Sequence, residues 1–579
     1  ALVVGLEVGE RLCFLGALRL RCGWGQAEIS GYMIPPGFRG GYLEAHSPRW
    51  MSLLVINAVG ASTTPETVAT SATVLGDTRD TPLEHEVEAA VARMTQQFPV
   101  VLALRSLPRN ELTFLSAQSD ADALYGAEFE AHGGSALCAK LVELSIESFE
   151  GLAAELRLPG MQAVLCEASG LRRCMTPARW SGAVDALLHA PCDTTRGFVL
   201  VCGAKGVGKS TFCRLLVNRL LACHPEVAFL DCDVGQPEFT PPGMVSLHLL
   251  DAPVLGPPHA NIRRSELAYF VGSTTSKPDP MYYSAAVRSL MEYYASGRAS
   301  NIPGEGPTPF PPLVVNTDGW VKGFGRDLLG AVIDVVRPLH VVQLRKRGNS
   351  GMQGLDRLPD DCQVHRIQAY TASPVPPIGP LAPNRPKVSD FHTWRLLAYF
   401  MRRGEGDGPH FESVGQKERN PQLGGPGIRN GTLRDKEHEL AYVLAARRPR
   451  RVPWRTVKVS FTAGHIPPDL ALHAVNGSLV GLVAAPTPSC ELNDDAGARP
   501  EGLRCLADTP LAPCLGLGLV RSVDVVRQEL YVLTPEPLDL LRHVTVLVKG
   551  MIQLPSEVLF NPEFCCCPYF SAEGVRGDV

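Results

Sequence analysis

The chain has 579 residues, 45% of them hydrophobic and 20% charged, with a formal net charge of −4. That length exceeds what one hydrophobic core serves, so two to four domains are expected, and the composition excludes a disordered or fibrous chain. The mild acidity excludes a generally basic polyanion binder, leaving nucleic-acid contact to a local surface, and no run of 18 apolar residues is present, so no membrane partner is expected.

The 17 cysteines are scattered, and Cys202, Cys213 and Cys232 lie in apolar segments, which points to buried thiols in a reducing compartment rather than a disulfide scaffold. Cys565, Cys566 and Cys567 lack the paired spacing of a zinc site and are read as part of an apolar tail. The first residue is Ala1, so a preceding piece, with any targeting signal it carried, is expected to be missing.

Residues 1–175 read as a β-rich domain. Leu12, Phe14, Leu18, Leu20 and Cys22 share one parity, Gly23-Trp24-Gly25 offers a turn, and Ala27, Ile29 and Met33 resume the alternation, which predicts a hairpin. Residues 62–80 are polar and read as a loop, and the amphipathic stretch 177–188 predicts a helix. Residues 176–403 form the second unit. Phe198 to Cys202 is a continuous apolar run suited to a strand buried on both faces. A glycine-rich loop and an amphipathic helical segment with Phe212, Leu215, Leu216 and Leu220 follow. Further strands are predicted at 227–230, 312–315 and 339–344, with a helix at 327–336, giving an α/β fold with a doubly wound parallel sheet. Residues 404–436, rich in Gly, Pro and charge, read as a linker or insertion. Alternation at Val457 to Phe461, Leu515 to Leu519, Leu530 to Val532 and Val544 to Val548 makes 437–579 a second β-rich domain.

Three segments carry chemistry. In Gly203-Ala204-Lys205-Gly206-Val207-Gly208-Lys209-Ser210-Thr211 the glycines let successive N–H groups point at phosphate oxygens while the next helix presents its positive N-terminus. Lys209 is expected to bridge the β and γ phosphates of ATP and Ser210 to ligate Mg²⁺; Lys205 is either a phosphate contact or a solvated lysine. One strand later Asp231 and Asp233, two residues apart, face the same way and suit metal holding and proton acceptance. A third segment holds Trp320 at a strand-to-helix turn, where an indole offers a stacking face or else enters the core.

GAKGVGKST at 203–211, FLDCDVGQPEFTPPG at 229–243 and VVNTDGWVKGFG at 314–325 resemble, in order and spacing, the polynucleotide 5′-hydroxyl kinases of RNA processing. The GQPEFTPPG form and the closing EGVRGDV look closer to the nucleolar branch that serves pre-ribosomal RNA than to the branch in cleavage and polyadenylation. The resemblance implies transfer of the ATP γ-phosphate to the 5′-hydroxyl of RNA, with DNA left open. It implies Asp233 as base, Asp231 and Gln236 as metal and water ligands, and Thr317, Gly319 and Trp320 as an RNA clasp. It implies an arginine-bearing lid, for which 391–403 is the expected helix. There Phe391, Trp394, Leu397, Ala398 and Met401 would face the core, and His392, Arg395, Tyr399 and Arg402 another side, with Arg395 as lid residue and His392 at a second arginine position. It further implies a nucleolar location and an endoribonuclease partner held by the C-terminal domain. A non-catalytic ATP-bound scaffold of an RNA-processing complex is the alternative. Residues 270–275 either shape the substrate groove or simply end a strand, and the basic runs 345–347 and 447–451 either meet RNA or are solvated.

Overall fold

The computed structural model describes residues 2–34, 41–48, 51–60, 82–107, 142–145, 157–158, 161–163, 174–189, 198–297, 310–346, 355, 357–370, 386–402, 435–462, 464, 466–486 and 503–559. The linker at 404–434, the cysteine run at 565–567 and the closing segment fall outside them. The described strands form three sheets, of ten, seven and seven strands.

The first sheet is built from strands between Leu2 and Ala163. Its longest strand, Arg11–Trp24, pairs with Leu43–Ser47, Val55–Gly60, Val100–Arg105 and Met161–Ala163, and not with Gln26–Ile29. The predicted hairpin at 23–25 is therefore absent. Gly25 sits so close to Pro99 that a Cβ would lie 2.2 Å from its carbonyl oxygen, so the chain crosses to a different neighbour there. The hairpin occurs one step later, where Ser30 and Gly31 both take positive φ and Ala27 to Ile29 pair with Tyr32 to Ile34.

The central sheet comprises β1 (Phe198–Gly203), β2 (Val227–Asp231), β3 (Met244–Leu250), β4 (Leu267–Phe270), β5 (Leu313–Asn316), β6 (His340–Arg345) and β7 (Gln363–Gln368), in the order β4-β3-β2-β5-β1-β6-β7. From β2 to β7 the pairs are parallel. The sheet is mixed rather than wholly parallel, because the Pro241-Pro242-Gly243 turn sends β3 back against β2, and β4 back against β3. Helices α1 (Ala178–Leu188), α2 (Lys209–Leu220), α3 (Pro280–Ala295) and α4 (Phe324–Val336) pack on it. Trp180 of α1 stands edge-on to Phe212 of α2, in one core that continues to Phe14 and Ile29 of the first sheet. The first two units thus share a hydrophobic interior.

The third sheet, from strands between Arg450 and Lys549, is tied to the second through α5 (Val388–Met401) and α6 (Asp435–Ala446). The Tyr399 hydroxyl donates to Glu536 at 2.8 Å and accepts from the Leu517 amide at 2.7 Å. Arg447 is 1% exposed and donates to the Phe400 and Arg402 carbonyls at 2.6 Å, satisfying acceptors that the end of α5 leaves open. Arg447 is therefore neither solvated nor open to RNA, the two alternatives left for the run 447–451, because burial of its charge is compensated by three backbone carbonyls, Thr534 included.

Candidate active site

The carboxyl ends of β1, β2 and β5 lie side by side, with Asp231 and Asn316 in register and Val201 against Asn316. This is the edge where open α/β sheets bind ligands. Gly206 and Gly208 have φ of 74° and 97°, values that let the loop curl and the N-terminus of α2 open toward the cleft. The Lys209 side chain folds back into the loop, its Nζ 3.4 Å from the Ala204 carbonyl oxygen. It is 7% exposed. Burial lowers its pKa, opposed first by Asp233 and then by Asp318. Lys205 is exposed and Ser210 half-buried.

The two acids after β2 divide their work. Asp231 is fully buried, accepting from the Asp233 amide at 3.2 Å, the Glu238 amide at 2.6 Å and Asn316 Nδ2 at 3.1 Å. Desolvation pushes its carboxyl up to about 7 in spite of those bonds. Asp233 is half-buried, and its Oδ1 accepts from the Gly235 and Gln236 amides at 3.1 and 3.0 Å. Its Oδ2 takes no hydrogen bond among the described residues.

The following loop is clamped from two sides. Glu238, 2% exposed, receives Arg214 of α2 in a bidentate pair at 2.9 and 3.0 Å, and Asn261 at 2.8 Å. From α5, His392 Nε2 donates to the Gly235 carbonyl at 2.7 Å, and Arg395 Nε donates to the Pro237 carbonyl at 2.9 Å. Arg395 is 3% exposed. Burial brings its pKa down to about 10, with Glu238 and Asp233 opposing, so it stays charged. Arg395, expected as the lid residue, is buried here and braces the loop that carries Asp233. Trp394 is buried as expected; on the side expected to be polar, Arg395 and Tyr399 are buried too, while His392 and Arg402 are half-buried. The helix packs on the central sheet's loop on one side and on the third sheet on the other.

Thr317, expected to touch RNA, is 2% exposed, and its hydroxyl donates to the Val201 carbonyl at 2.9 Å, locking the end of β5 to β1. Gly319 does meet the cleft. A Cβ there would fall 2.9 Å from Lys205 Cα, so this glycine lets the turn after β5 touch the phosphate loop. Trp320 is half-buried, its ring against Gly325 and 6.1 Å from Phe324.

Four members of the site escaped sequence reasoning. Asn316 fixes Asp231, and Arg214 with Glu238 braces the loop. Asp318, the fourth, accepts from Ser276 Oγ at 3.2 Å and from the Trp320 amide at 3.3 Å; burial and then Asp233 raise its pKa. A polar residue closing an apolar strand, as in Leu-Val-Val-Asn, was the available signal for Asn316; nothing local marks Arg214.

Beside the phosphate loop a cavity of 330 Å³ opens between the first and second units, with His46, Met51, Trp180, Gly208, Thr211 and Tyr370 in its wall. That size falls at the small end of ligand sites.

Known proteins resemble this chain in sequence. The family model described as the mRNA cleavage and polyadenylation factor CLP1 P-loop matches residues 203–400, and that of the NOL9-like C-terminal domain matches 445–555. A protein of Arabidopsis thaliana named polynucleotide 5′-hydroxyl-kinase NOL9 is 33% identical over 404 residues, covering 68% of this chain and 95% of its own. Its namesake from Homo sapiens is 32% identical over 410 residues, covering 65% of this chain and 52% of that one, and the one from Danio rerio is 27% identical over 584 residues, covering 100% and 74%. The solved wild-type Clp1p–Pcf11p complex aligns over 95% of this chain and 97% of that one, at 10% identity and a TM-score of 0.48. This chain belongs to the polynucleotide 5′-hydroxyl-kinase NOL9 family, enzymes built on a nucleotide-binding P-loop.

Proposed function

We propose that this chain transfers the γ-phosphoryl group of ATP to the 5′-hydroxyl of RNA, at ends left by an endoribonuclease during pre-ribosomal RNA processing in the nucleolus. One observation carries the reading: the phosphate loop after β1, Asp231 and Asp233 after β2 and the 317–320 turn after β5 meet at one edge of the sheet, with Gly319 against Lys205. Adenosine is assigned to the 330 Å³ cavity beside Gly208 and Thr211, the triphosphate to the backbone of 203–211, and the acceptor to the space before Trp320. Lys209 would exchange the Ala204 carbonyl for phosphate oxygens.

The donors present suit a divalent ion held mainly by phosphate oxygens. The Ser210 hydroxyl would hold the ion directly, whereas both oxygens of Asp231 already accept protein N–H groups, so its carboxylate would act through water, with Gln236 as the further ligand the motif offers. When bound, the ion supplies charge neutralisation on the β and γ phosphates. Asp233, fixed by its two amide bonds, accepts the proton of the incoming hydroxyl. Trp320 stacks the terminal base, worth about 1 to 3 kcal/mol, and so orients the hydroxyl for a transition state that needs alignment more than a strong base.

Matched RNA and DNA oligonucleotides with 5′-hydroxyl or 5′-phosphate ends, incubated with ATP and resolved by mass, test this. Addition of one phosphate to the hydroxyl ends alone is expected. ATP held for many hours without transfer to either polymer would instead establish the scaffold.

A further inference from the structure

Resting on the reading of Trp320 as the stacking platform, we propose that Lys277 binds the first internucleotide phosphate of the acceptor, and that in the free enzyme its ammonium waits on the indole where the terminal base will lie. Lys277 Nζ stands 5.0 Å from the Trp320 ring centroid. The side chain is exposed, and among the described residues no carboxylate comes within ion-pair distance of it. Asp318, the nearby acid, spends Oδ2 on Ser276 and Oδ1 on the Trp320 amide.

The backbone beneath Lys277 is fixed while its side chain is not. Ser276 is fully buried in its bond to Asp318, the Lys277 amide donates to Thr275 Oγ1 at 3.4 Å, and the Thr274 carbonyl lies so near Gly235 that a Cβ there would be 2.8 Å away. The lysine is therefore a flexible arm on a rigid base, placed beside the loop that carries Asp233. An RNA end entering this cleft meets two carboxylates, Asp233 and Asp318, which repel its phosphates. A cation over the platform reverses that repulsion one nucleotide from the hydroxyl. A lysine on an indole loses only a weak attraction when it leaves, and a charge-assisted bond to phosphate is stronger. Base stacking and the move of Lys277 to phosphate are then one event.

The test uses 5′-hydroxyl oligoribonucleotides of one sequence whose first linkage is either a phosphodiester or an uncharged methylphosphonate. For the parent enzyme, KM should rise about tenfold on the uncharged linkage. For Lys277→Ala the two substrates should have equal, raised KM, and the slope of log KM against log salt should fall by about 0.7, one phosphate's share for a single strand. Lys277→Arg should restore discrimination. If Lys277→Ala separates the two linkages as the parent does, or binds RNA more tightly because only an obstruction has gone, the proposal is wrong. Absence of transfer to either substrate by the parent would refute the kinase reading itself, a distinct result.

Discussion

At the scale of single residues, the division of labour between Asp231 and Asp233 makes unlike predictions for two similar substitutions. Asp233→Asn keeps an oxygen for the Gly235 and Gln236 amides but cannot take a proton, so kcat should fall by about 10² to 10⁴ with little change in melting temperature. Asp231→Ala leaves the Glu238 and Asp233 amides and Asn316 without their acceptor, in a fully buried place, so unfolding should ease by several times the roughly 1 to 3 kcal/mol attached to one such group. Thermal melting beside single-turnover kinetics checks both. Gly319 is the third case. The added methyl of Gly319→Ala must push the clasp off Lys205, and a displacement of about 1 Å costs on the order of 10² in rate.

At the scale of elements, α5 is the part whose surroundings were least legible in the sequence. Its apolar spacing and its arginine are visible in the sequence, but the fact that it is covered on several sides is not, because its partners lie far along the chain: Pro237 158 positions away and Glu536 137. Arg395→Ala should therefore lower the melting temperature of the protein without nucleotide, by an amount equivalent to about 1 to 3 kcal/mol for the orphaned Pro237 carbonyl and its neighbours, and lower kcat through the Asp233 loop. A residue that only closed over bound ATP would leave the melting temperature where it was. The phosphate loop was legible for the opposite reason. Strand, glycines, lysine and helix are contiguous, so one local window contains the whole device. Asp318 lay inside a recognised segment and still went unnoticed, since its meaning comes from Ser276 and Lys209, which that window does not hold.

At the scale of the molecule, the three sheets do not sit as separate beads. The first two share a core through Trp180 and Phe212, and the third meets the loop after β4, where the Met551 amide donates to the Gly272 carbonyl at 2.6 Å and a Cβ on Gly550 would lie 2.2 Å from the same oxygen. That loop continues to Ser276 and Lys277, so docking of the third unit holds the backbone from which Lys277 projects. The interior also predicts an acid limit. Burial pushes the His248 and His259 pKa values down to about 3, and both side chains are under 4% exposed. Their unfolded values lie near 6.5. The unfolded chain therefore binds more protons between these limits, and the stability they supply is complete above about pH 6.5 and is lost as pH falls toward 3, by up to about 1.4 kcal/mol per unit for each histidine. Melting temperature measured against pH should fall over that window.

The most direct test of the central claim is single-turnover transfer from γ-labelled ATP to a 5′-hydroxyl RNA by the parent protein, Lys209→Ala and Asp233→Asn. Label on the RNA end with the parent, and loss of at least two orders of magnitude in both variants, is the predicted result. Transfer by Lys209→Ala at the parent rate would contradict the assignment of the cleft.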